Sequence, residues 1–106
     1  MIIQVNTDNN IEGHQALSEQ LKVEVQNSLE RFGDKITRVE VHLSDDNSNK
    51  KSGPDDKRCL LEARLAGLQP LAVSHQAATT EQAVDGAVDK LMRSIDATLG
   101  KLENQK

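Results

Sequence analysis

From Thr79 onward, six apolar residues, Val84, Val88, Leu91, Ile95, Leu99 and Leu102, recur at steps of three or four, which aligns them along one stripe of an α-helix. Thr79 followed three residues later by Gln82 fits a capping box, so the helix is expected to start there and to end near Glu103. At 1.5 Å per residue it spans about 36 Å. A stripe of that length is stable only when buried against another layer, and the rest of the chain must supply that layer.

The remaining periodicities say what it is. Ile3 and Val5 alternate with Gln4 and Asn6, a short first strand closed by the polar run Asn6-Thr7-Asp8-Asn9-Asn10. Leu17, Leu21, Val25, Leu29 and Phe32 then form a second helical stripe, predicting a helix over about 15–32 with Gly33 at its C-terminal cap. Val39, Val41 and Leu43 alternate with Arg38, Glu40, His42 and Ser44, and Cys59, Leu61, Ala63 and Leu65 alternate with Arg58, Leu60, Glu62, Arg64 and Ala66. Each is a strand with one buried and one wet face. Residues 45–57 hold no hydrophobic side chain and contain Gly53-Pro54, which predicts a mobile hairpin loop. Gly67 to Pro70 turns the chain into a fourth strand in which Leu71, Val73, His75 and Ala77 share a face. The reading is an α+β fold in the order β-α-β-β-β-α, a four-stranded sheet with both helices on one face, and a right-handed first β-α-β connection.

A chain of 106 residues has room for one domain, 1–106, with a modest core. Its formal net charge of -4 provides no global attraction to nucleic acid or anionic membrane, so any RNA contact must come from a local patch. The single cysteine, Cys59, cannot form an internal disulfide, and the N-terminus Met1-Ile2-Ile3-Gln4-Val5 lacks the pattern of a secretion signal. A cytoplasmic location and no membrane contact are the expectation. Phe32 is the only aromatic residue, which argues against a reader that stacks bases on an aromatic platform.

One stretch carries more than periodicity. The run Leu71-Ala72-Val73-Ser74-His75-Gln76-Ala77 leads through Thr79-Thr80 into Ala83-Val84-Asp85-Gly86-Ala87-Val88-Asp89-Lys90-Leu91-Met92-Arg93. This resembles the hibernation-promoting factor and ribosome-associated inhibitor family, the ribosomal subunit interface or sigma-54 modulation proteins, whose last helix carries Ala-Ile-Asp-x-x-x-Asp-Lys-Leu-x-Arg. Val39-Glu40-Val41-His42-Leu43-Ser44-Asp45 with Asp56-Lys57-Arg58-Cys59 further resembles a proteobacterial branch of short members. The resemblance covers nearly the whole chain. It implies a non-catalytic factor that docks on the small ribosomal subunit, on 16S rRNA and possibly ribosomal proteins, lowers translation in slow growth or stress, and is monomeric off the ribosome. The family's basic positions fall on Lys90 and Arg93 of the last helix, and approximately on Lys22, Arg31 and Lys35 of the first helix and its exit. The chain departs from the pattern at Ser94, Ile95, Asp96, Ala97 and Thr98, where typical members continue with a basic cluster, and at Glu81, which replaces an aromatic.

Charge counting gives the alternative reading. Glu19, Glu24 and Glu30 outnumber Lys22 and Arg31, while Glu81, Asp85, Asp89, Asp96 and Glu103 outnumber Lys90, Arg93 and Lys101. Neither helix is net positive, which fits a protein-binding adaptor with weak or no RNA affinity. Lys90 and Arg93, three apart, can face one phosphate track, or can pair with acids of their own helix, Arg93 with Asp89 in particular.

Other motifs carry less. Residues 45–56 follow calcium-loop spacing in part, but Lys50 stands where such a loop needs glycine and Asp56 replaces the bidentate Glu. A solvated loop whose Lys50, Lys51, Lys57 and Arg58 touch RNA is the better reading. Cys59 reads as a small buried hydrophobe, His75 as a structural histidine, and Gly86 as a site of close packing. His14, His42 and His75 show no metal-ligand spacing, with one another or with Cys59, and no metal or cofactor is expected. There is no phosphate-cradling loop, nucleophile motif or catalytic carboxylate pair, so no enzymatic activity is expected.

Overall fold

Burial alternates along the two central strands and sets the layering of the molecule. The computed structural model describes residues 1–8, 14–45 and 57–104. In chain order the elements are β1 (Ile2–Thr7), α1 (His14–Leu29), a 3-10 segment over Glu30–Lys35, β2 (Ile36–Asp45), β3 (Lys57–Leu65), β4 (Leu71–Ala77) and α2 (Thr80–Asn104). This is the β-α-β-β-β-α order that the periodicities predict. The strands lie in the order β1-β2-β3-β4, with β1 parallel to β2 and the other neighbours antiparallel. Val39, Val41, Leu43, Cys59, Leu61 and Ala63 turn inward and are at most 3% exposed.

Against that face lie Leu21, Val25, Leu29 and Phe32 from the first helical stretch and Ala83, Val84, Ala87, Val88, Leu91 and Ile95 from α2, all in one cluster. Both helices therefore cover the same side of the sheet, α1 over β1 and α2 over β3 and β4. Each fully buried leucine or valine contributes about 1.5–3 kcal/mol relative to exposure. Among the described residues, no layer covers the opposite face of the sheet.

Several boundaries depart from the sequence reading for identifiable reasons. The α-helix stops at Leu29, and the chain tightens into the 3-10 segment, where Gly33 adopts φ 52 and ψ -126. In a 3-10 turn residues i and i+3 eclipse, so Phe32 stacks in line with Leu29 and remains 6% exposed. A β-bulge between Ile36 and Arg38 sets two residues of β2 against one of β3, which brings Ile36 to the inner face although Val39 is an odd three positions away. The expected loop 45–57 is shorter at both ends. Asp45 and Lys57 are strand residues, register partners joined by a 2.9 Å ion pair, and the Asp45 N–H donates to Asp8 Oδ2 at 3.2 Å. Residues 46–56, on which the mobility and calcium readings fall, lie outside the described residues.

At the start of α2, Thr79 Oγ1 accepts the N–H of Gln82 at 3.1 Å, the forward half of the expected capping box. Midway along the first half of this helix, Gly86 faces His75 of β4. A β-carbon at position 86 would lie 2.1 Å from His75 Cδ2. The glycine thus lets the helix seat directly on an imidazole ring of the sheet. Gly86→Ala should lower stability by about 1–3 kcal/mol through overpacking, although alanine is the better helix former by about 1 kcal/mol. Denaturant melts of Gly86→Ala, His75→Ala and the double variant check this: the double variant should recover much of the loss.

Cys59 is 0% exposed, and burial pushes its thiol up from an ordinary 9.0 to about 12. Between those values the folded state keeps a proton that the unfolded chain releases. Stability from this group is complete below pH 9.0 and falls by about 1.4 kcal/mol per pH unit as pH rises toward 12. Comparing the pH dependence of unfolding for the parent and Cys59→Ala should isolate that decline, present in the parent and absent in the variant.

Candidate nucleic-acid interface

The five cations assigned on the helices sit at exposed positions, but the fold gives them different surroundings. Lys22 is exposed on α1, flanking the buried line of Leu21, Val25 and Leu29. Lys35 ends the 3-10 segment just before the sheet begins. Among the described residues, no hydrogen bond or ion pair engages the side chain of either. Both are available to phosphate.

Arg31 is held in place. Its guanidinium lies 4.2 Å from the centroid of the Phe32 ring and donates to Asp96 Oδ2 of α2 at 2.8 Å, joining the end of the first helical stretch to the second helix. Arg93 pairs with Asp89 one turn back at 2.9 Å, the intrahelical pairing that its spacing allows. Lys90 makes no such pair. Its Nζ reaches across to the backbone carbonyl of Ser74 in the edge strand β4, at 2.9 Å. Lys90 and Arg93 thus turn to different partners. All these contacts are solvent-exposed, and exposed pairs contribute about 0–1 kcal/mol each, little enough for a phosphate to displace them.

A second cationic surface lies on the uncovered face of the sheet. Arg38, Arg58 and Arg64 all point away from the core, and Arg38 and Arg64 are direct register partners. Arg38 donates to Gln4 Oε1 on β1 and stands 3.7 Å from Glu40. Arg58 and Arg64 are exposed, and their guanidinium groups make no hydrogen bond or ion pair among the described residues; the Arg64 carbonyl accepts from Thr37 Oγ1 at 3.2 Å. The alternation of β2 and β3 places each arginine on the wet face, but their grouping follows only from the strand register. Of the other cations considered for RNA contact, Lys57 is engaged by Asp45, and Lys50 and Lys51 lie outside the described residues.

The histidines are separated by the sheet. His42 lies on the open face, where its Nε2 is 3.0 Å from Glu62 Oε1, and His75 lies on the inner face beneath Gly86. No helix among the described residues is long and apolar enough to cross a membrane.

Comparison with known proteins places the architecture. No curated protein sequence matches the chain. Among solved structures, the fold is similar to the N-terminal domain of Thermus thermophilus Protein Y, with 23% identity, a TM-score of 0.70, and coverage of 92% of this chain and 99% of that one. It is also similar to a ribosomal subunit interface protein from Coxiella burnetii, with 16% identity, a TM-score of 0.69, and coverage of 94% and 99%. The sequence itself matches the family described as Sigma 54 modulation protein / S30EA ribosomal protein over residues 4–103, from the first strand to the end of the last helix, and the chain belongs to that family.

Proposed function

We propose that this chain is a non-catalytic, cytoplasmic, ribosome-associated factor that binds the small subunit through 16S rRNA and lowers translation in slow growth or stress. The family match over residues 4–103 carries this reading, because it takes in every element of the fold rather than one motif. The solved relatives include a protein named for the ribosomal subunit interface, which supports the same reading. Lys22, Arg31, Lys35, Lys90 and Arg93 supply the phosphate contacts, and the protein is a single-domain monomer when off the ribosome.

Its net charge of -4 sets the character of the binding. Five cations neutralise about three to five phosphates, and affinity follows salt with a slope of about 0.7–0.9 per phosphate. The paired state of Arg31 and Arg93 favours a second reading, a protein-binding adaptor in which these residues serve the fold alone. The two readings differ in whether Lys90 and Arg93 are needed for the ribosome.

Binding of the purified protein to 30S subunits should weaken by about one to three orders of magnitude between 50 and 200 mM salt. Lys90→Glu together with Arg93→Glu should abolish co-sedimentation with 30S while leaving helical circular dichroism and the melting temperature nearly unchanged, because both side chains are exposed. Undiminished binding by the double variant would instead support the adaptor.

A further inference from the structure

On the open face of the sheet, Glu40 and His42 stand two apart on β2, and Glu62 is the register partner of Glu40 on β3. Two carboxylates directly opposite each other on neighbouring strands repel unless something positive lies between them. Arg38 does so only loosely, at 3.7 Å from Glu40. His42 is the closer group. One donor atom from each of Glu40, His42 and Glu62 lies within 4.8 Å of the other two.

The state of the imidazole adds a second observation. His42 Nε2 is closed off from solvent and makes no hydrogen bond, although Glu62 Oε1 is only 3.0 Å away. The two atoms are close without being aligned for N–H donation. A shielded nitrogen without a directed proton, facing a carboxylate, is an arrangement that a shared cation would satisfy.

We propose that Glu40, His42 and Glu62 form a binding site for a divalent transition-metal cation, with zinc as the best match. One imidazole nitrogen and two carboxylate oxygens are ordinary zinc donors at about 2.0–2.2 Å, which puts tetrahedral ligand atoms roughly 3.3 Å apart. The His42–Glu62 separation of 3.0 Å already approximates that spacing, and rotation about the Glu40 side chain closes the third side. An imidazole among the donors selects against magnesium and calcium, which take oxygen ligands. The three ligands stand on the two central strands, so the backbone fixes their spacing. The site is half-exposed, which gives the ion an entry path and leaves a fourth position for water or an anionic group. Occupancy would offset the two glutamates and leave the face carrying Arg38, Arg58 and Arg64 more positive. The site stands on its own geometry and does not depend on the ribosomal reading.

Titration of the full chain with zinc chloride, followed by calorimetry, should show one ion bound per chain with a dissociation constant on the order of micromolar. His42→Ala and Glu62→Gln should each weaken binding by about tenfold or more, comparable to the losses typical of disrupted metal sites. Glu24→Gln, on the far side of the molecule, should leave it unchanged. In the parent protein, long-range proton–nitrogen NMR should show zinc shifting a ring nitrogen of His42 but neither of His75, a readout that needs no variant to fold. Absence of saturable binding at about millimolar zinc, an unmoved His42 ring, or undiminished parental affinity in both ligand variants would overturn the proposal.

Discussion

The contact that the rest of the molecule depends on is made by the inner face of β2 and β3. Val39, Val41, Leu61 and Ala63 are 0% exposed and form the floor on which both helices sit. The core is almost purely aliphatic, with Phe32 as its one aromatic side chain, so it relies on many small, close contacts. Gly86 against His75 is the clearest example: the helix comes near enough to the sheet that even one methyl group would collide. Because the buried apolar side chains gather on one side of the sheet, the opposite face is free to be mainly polar. That asymmetry creates the two surfaces on which function can lie.

Charge is distributed over those surfaces so that an acidic chain retains local cations. On the helical side, Asp96 and Asp89 hold Arg31 and Arg93, while Lys22 and Lys35 carry no such restraint among the described residues. The Arg31–Asp96 pair also ties the end of the first helical stretch to α2, giving that acid a structural reason to stand where the family has a basic cluster. On the sheet side, the register partners Arg38 and Arg64 stand beside the opposed Glu40 and Glu62, with Arg58 further along β3. The balance is one of weak, exposed pairs, each readily exchanged for phosphate, and it does not require the protein as a whole to be positive.

Much of the fold was legible because its elements obey a single period each. The six-residue stripe after Thr79 and the alternation in Val39–Leu43 and Cys59–Leu65 specify type and buried face without ambiguity. What escaped depended on geometry between elements. Ile36 reads as outside the strand's inward parity until the bulge restores it. Ala83 and Ala87 are too small to mark a stripe, yet both are fully buried. Asp45 and Lys57 look like loop residues because they are charged, but their mutual pairing extends the ladder. For the cations, the spacing offered Asp89 as one alternative partner of Arg93; the reach of Lys90 to the Ser74 carbonyl depends on how α2 lies across β4. Likewise, Glu62 joins Glu40 and His42 only through the register of two strands that are far apart in sequence.

The proposed role of this fold is to act on the small ribosomal subunit. Sucrose-gradient sedimentation of stationary-phase lysate, with the endogenous protein detected by antibody in each fraction, tests it most directly. Recovery in the 30S, 70S or 100S fractions is the predicted result, and recovery only at the top of the gradient would contradict it.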